Sequence, residues 1–105
     1  MSKYRTHTCG ELTKNNNGSD VTLSGWINKK RDHGNLLFID LRDNFGITQC
    51  IIDKENKFFN NLEKVQLETV IKIDGTVAER SPDTINNEIK TGEIEVKILS
   101  YEVLG

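Results

Sequence analysis

The sequence predicts an all-β domain, a five-stranded Greek-key barrel with one helix between the third and fourth strands. Three observations predict it. Three strand-like runs joined by tight turns succeed one another between Val21 and Ile52, an apolar stripe at helical spacing follows, and a strict apolar-polar alternation marks Ile94, Val96 and Ile98. The chain has 105 residues, about one domain, and folding at that size buries roughly two thirds of the surface the unfolded chain exposes.

Taken in order, positions 1–12 lead in, with a short helix as one reading, and NNNGSD at 15–20 is a polar turn. The first strand covers 21–31, where Val21, Leu23 and Ile27 alternate with Thr22, Ser24 and Asn28, and Gly25 marks a sharp coil or bulge. DHGN turns into a second strand at 36–42, and DNFG turns into a third at 47–52. Asp53 is placed to cap a helix ending near Leu67, whose stripe is Phe58, Phe59, Leu62 and Val65. A fourth strand at 70–78 is followed by the loop SPDTINNE, where Pro82 excludes a central strand, and then by the last strand. Strand, strand, strand, helix, strand, strand is the order of the OB-fold, a partly open five-stranded barrel.

No apolar run approaches the ~20 residues of a membrane span, and MSKYRTHTCGEL lacks the apolar middle of a signal peptide. A cytoplasmic location without membrane association is the expectation. Cys9 and Cys50 stand in no metal-ligand spacing, so neither zinc nor a disulfide is expected. The net charge is -2, but phosphate binding depends on local clustering, and Lys29, Lys30, Arg31, Arg42 and Arg80 are candidates for a basic patch.

No catalytic constellation emerges. His7 and His33 are far apart, Asp32, Asp40 and Asp43 fall at turns and strand ends, and the glycines form no phosphate loop. Binding is better supported. Phe38, Asp40 and Arg42 face away from Leu37, Ile39 and Leu41, which puts a ring and a guanidinium on the outer face of the second strand, where an OB-fold holds oligonucleotides. Gln49 offers the donor and acceptor that an unpaired uracil requires. Its phase is open: alternation groups it with Ile47 and Ile51, so either the strand bulges or an isoleucine is exposed.

The segment GWINKKRDHGNLLFIDLRDNFGITQ, with YRTHTCGEL, GTVAER and INNEIKTGEIEVKILS, resembles the amino-terminal anticodon-binding domain of bacterial-type aspartyl-tRNA synthetases along the whole chain. The resemblance implies a fragment of a larger, homodimeric ligase whose class II catalytic domain, absent here, uses ATP and magnesium; this domain needs no cofactor. It implies that Phe38 stacks on the middle anticodon base, Gln49 reads that base as uracil, Arg31 lies near the third base and Glu95 recognises the first. Asn86 lies in the loop approaching the anticodon. Lys29 and Lys30 stand where relatives carry arginine, and Ala78 where many do, so phosphate contacts there depart from the family pattern. His33 in the RDxG turn resembles members that charge both tRNA(Asp) and tRNA(Asn), where a leucine accompanies restriction to tRNA(Asp). A lysyl- or asparaginyl-tRNA synthetase domain, a general single-strand binder and a protein interaction module are the competing readings.

Overall fold

The computed structural model describes residues 4–105 and is a closed barrel of five strands. These are β1 (Asp20–Asp32), β2 (Leu36–Asp43), β3 (Gly46–Asp53), β4 (Val70–Glu79) and β5 (Ile94–Val103), with α1 (Phe59–Lys64) between β3 and β4. The strand order is β1-β2-β3-β5-β4, and β4 returns to β1 to close the sheet. β3 and β5 run parallel while the other pairs are antiparallel. The OB-type order read from the sequence is therefore the order of the fold.

The core follows the alternation. Leu37, Ile39 and Leu41 of β2 face Ile71, Ile73 and Val77 of β4 and Ile94, Val96 and Ile98 of β5 within one buried cluster, closed at one end by Phe59 and Leu62 of α1. Burial of such side chains supplies about 1.5–3 kcal/mol each before conformational entropy is charged against it.

Four local expectations are corrected. Positions 4–12 carry no helix, and the first helical element is a 3-10 turn at Lys14–Asn16 whose Thr13 and Asn16 form a reciprocal cap; positions 1–3 lie outside the described residues. Asp53 does not cap α1. Its Oδ1 accepts from Glu55 N at 2.9 Å, an Asx turn, and the helix begins six positions later, after Phe58. α1 also stops at Lys64 rather than near Leu67, because Val65 is extended and Glu68 takes a left-handed φ of 70°.

The fourth correction matters most for the site. Gly25 pairs in regular register with Ile71 of β4, and the register of β1 against β2 shifts between Ile27 and Lys29, so the bulged residue is Asn28. Gly25 serves close approach instead, since a Cβ there would stand 2.2 Å from Arg42 O. Before the bulge the odd positions Val21, Leu23 and Ile27 point inward; after it, Lys30 pairs with inward-facing Ile39, and Lys29 and Arg31 pair with outward-facing Asp40 and Phe38. One extra residue thus delivers Arg31 to the outer face.

Candidate nucleic-acid interface

β2 and β3 pair without irregularity, with Phe38 opposite Ile51, Asp40 opposite Gln49 and Arg42 opposite Ile47. Thr48, Cys50 and Ile52 take the inward positions of β3. Gln49 is consequently outward in a regular strand, and the open choice resolves to isoleucines on the outer face: Ile47 and Ile51 are half-buried there. Thr48 tolerates the interior because its hydroxyl donates to Cys9 O at 2.7 Å.

On this face four side chains form one chain of hydrogen bonds. Arg31 Nη1 and Nη2 donate to Asp40 Oδ2 and Oδ1 at 2.9 and 3.0 Å, Arg31 Nη2 also donates to Gln49 Oε1 at 3.0 Å, and Gln49 Nε2 donates to Glu95 Oε1 at 2.9 Å. The fork on Asp40 favours the charged guanidinium and raises the Arg31 pKa, against the opposing effect of burial. The chain also fixes the Gln49 amide, oxygen toward Arg31 and nitrogen toward Glu95. Each end of that amide uses one of two bonding positions, which leaves one acceptor and one donor for a ligand.

Phe38 stands beside this chain. The Arg31 Cζ lies 5.9 Å from the ring centroid, and the His33 ring meets Phe38 edge-on with centroids 4.9 Å apart. His33 is exposed in the turn between β1 and β2, where its N–H donates to Leu36 O at 2.9 Å and Gly34 supplies a φ of 76°. A groove of about 450 Å³ opens between the strands and the loop after β4, lined by Lys29, Arg31, Asp40, Gln49, Arg80 and Asn86 among others. The loop is folded on itself: Asn86 N donates to Gly92 O at 3.0 Å, and Asn86 Oδ1 accepts from Glu88 N.

The structure divides the basic residues expected to form one patch. Lys29 and Arg42 are exposed, whereas Lys30 turns to the end of α1 and donates its ammonium to Glu63 O at 2.7 Å and to Val65 O. Burial lowers the Lys30 pKa, with Glu63 opposing. Arg80 is only 8% exposed; its Nε donates to Ile94 O at 2.9 Å and Nη1 to Thr84 O at 3.1 Å. Burial lowers its pKa, while Glu95 and Asp40 support the charge. Arg80 thus ties the loop to β5 from within the groove wall. Sequence reading passed over Asp40 as a binding residue, although an Asp two positions from an outward Phe on the same strand shares its face.

Among the described residues no group of His, Cys, Asp and Glu is arranged to hold a metal, and no helix is long and apolar enough to cross a membrane. A small OB barrel with an aromatic platform, a preset amide and exposed cations on its open face defines a binding domain for unpaired nucleic acid. A family profile described as tRNA anti-codon, an OB-fold nucleic acid binding domain, matches residues 21–104. The chain belongs to that family.

Its relatives include the aspartate-tRNA(Asp/Asn) ligases of Pelagibacter ubique, 72% identical, and Paracoccus denitrificans, 56% identical, each over all 105 residues. The chain spans 18% of the length of each. Among solved structures, the asparaginyl-tRNA synthetase of Pyrococcus horikoshii complexed with asparaginyl-adenylate superposes with a TM-score of 0.78 at 25% identity, covering 93% of this chain and 22% of that one. An OBody bound to hen egg-white lysozyme gives a TM-score of 0.81 at 21% identity, covering 100% of this chain and 97% of that one, and speaks for the fold alone.

Proposed function

We propose that this barrel is the amino-terminal anticodon-binding part of an aspartate-tRNA ligase that accepts both tRNA(Asp) and tRNA(Asn). The observation that carries the reading is the Arg31-Gln49-Glu95 chain beside Phe38, which presents a stacking ring and a preset amide on one open face. The names of the relatives that match the whole chain support the choice of tRNA.

In this reading Phe38 stacks on the middle anticodon base, a contact worth ~1–3 kcal/mol on an aromatic platform. The remaining acceptor and donor of Gln49 meet the N–H and carbonyl of uracil, and Glu95 accepts from the N1 and N2 donors of a first-position guanine. Arg31 attends the third base, with His33 at the edge of Phe38 allowing either pyrimidine there, and Asn86 closes from the loop. Lys29 and Arg42 serve phosphates, while Lys30 and Arg80 hold the scaffold. ATP and magnesium act in the catalytic domain of the parent, a cytoplasmic homodimer by this reading, and no chemical step is assigned to these residues.

Anticodon stem-loops carrying GUC, GUU or a scrambled triplet, titrated at fixed moderate salt, test the proposal. Comparable binding of GUC and GUU, lost with the scrambled loop and with Phe38→Ala, is expected. Selective GUC binding removes the dual specificity, and indifference to all three removes anticodon reading.

A further inference from the structure

The turn between β2 and β3 holds an aromatic side chain out in water. Phe45 is 60% exposed, yet its backbone is fixed. Asp43 Oδ1 accepts from Phe45 N at 2.8 Å and Gly46 N at 3.1 Å, and Asp43 Oδ2 accepts from Cys9 N at 2.8 Å. The amino-terminal segment is pressed against the same turn, since a Cβ on Gly10 would stand 2.2 Å from Phe45 O. The ring is therefore presented by a rigid platform, and the conformational entropy of ordering a loop is already spent before any ligand arrives.

Cations surround it. Arg5 Cζ lies 5.3 Å from the Phe45 centroid, and a pocket of about 250 Å³ beside the ring is lined by Arg42, Phe45, Ile47, Ile89, Lys90 and Thr91 among others. Thr91, itself buried, donates its hydroxyl to Ile47 O and so locks the loop after β4 onto β3 beneath the pocket. Ile47 and Ile89 line this pocket and the neighbouring groove alike, so the two are continuous.

We propose that the Phe45 pocket is a second nucleobase site, taking a nucleotide that flanks the three bases held in the groove, with the base stacked on Phe45 and its phosphate met by Arg42 and Lys90. The inference rests on the reading that the groove binds unpaired RNA. An exposed ring with basic side chains around it is the combination that grips single strands, and the shared isoleucines let one strand run from groove to pocket without leaving the surface. Arg42 and Lys90 in the lining and Arg5 on the ring are cations, with no carboxylate among the described lining residues, which favours a polyanion over an uncharged protein segment.

The test titrates this chain with the trinucleotide GUC, which is short enough to occupy only the groove, and with an anticodon stem-loop carrying the same triplet and its flanking nucleotides. Phe45→Ala is expected to weaken the stem-loop about tenfold and to leave the trinucleotide unchanged, whereas Phe38→Ala weakens both. Stem-loop binding also shifts the Phe45 ring and Lys90 amide resonances, and the trinucleotide leaves them in place. A Phe45→Ala protein that binds the stem-loop like the parent, while Phe38→Ala remains impaired, overturns the second site and leaves the face to a protein partner. Equal weakening of both ligands by Phe45→Ala overturns it too. If Phe38→Ala is silent as well, the groove reading falls first and the second site with it.

Discussion

Asp40 holds Arg31 by two parallel hydrogen bonds of 2.9 and 3.0 Å, and the same guanidinium fixes the oxygen of Gln49. The pair is partly exposed, so its contribution to stability is small, at most about 1 kcal/mol. Its larger consequence is positional. Asp40→Asn removes one charged acceptor of the fork and frees Arg31, and with it the orientation of Gln49. Stem-loop affinity is expected to fall about tenfold, the scale of one charge-assisted contact, with a urea midpoint close to that of the parent. Unchanged affinity would show that Gln49 is oriented without help from Arg31.

Lys29 and Lys30 are chemically alike and adjacent, yet the Asn28 bulge sends them to different places. Lys29→Ala is expected to weaken RNA binding and to reduce the salt slope of log K by about 1. Lys30→Met leaves that slope unchanged and costs about 1–2 kcal/mol of stability, because two carbonyls at the end of α1 lose a charged donor. Equal salt slopes for the two variants would contradict the division.

Both thiols are buried, and burial pushes each pKa well above the ordinary value, with Asp43 adding to the effect at Cys9 and Asp40 at Cys50. The unfolded chain releases those protons near pH ~8.5, while the folded protein keeps them. The unfolded state thus binds fewer protons in alkali, and stability falls as pH rises, by about 1.4 kcal/mol per pH unit for each thiol. Cys50→Ala removes one such contribution. Urea unfolding across the alkaline range should show a correspondingly shallower decline for the variant; an identical decline would mean that the buried thiol ionises as readily in the fold as outside it.

Period-2 patterns were legible wherever apolar side chains carried them. Leu37, Ile39 and Leu41 against Phe38, Asp40 and Arg42 placed both the core and an outward ring, and Ile94, Val96 and Ile98 placed β5 with Glu95 outward. The resemblance of GWINKKRDHGNLLFIDLRDNFGITQ supplied the family. The pattern left the phase open at β3, where Thr48 and Cys50 are interior and Ile47 and Ile51 are not, because a hydroxyl satisfied by Cys9 O can be buried and an isoleucine beside a groove need not be.

The order of strands along the chain, the inward sets of β2 and β5 and the outward ring at Phe38 follow from the sequence, since a pleated strand sends successive side chains to opposite faces whatever it pairs with. Where the polar side chains end is set by the closed fold. The bulge lies in Asn28, Lys29 and Lys30, a polar run with no alternation to break, and it exists only as a mismatch of register between β1 and β2. Lys30 finds its carbonyls 33 and 35 positions away, Gln49 finds Glu95 46 positions away, and Arg80 finds Ile94 across the loop. A charged group goes to whichever partner the closed barrel brings within hydrogen-bonding distance, and that distance is set by three-dimensional packing rather than by position in the chain.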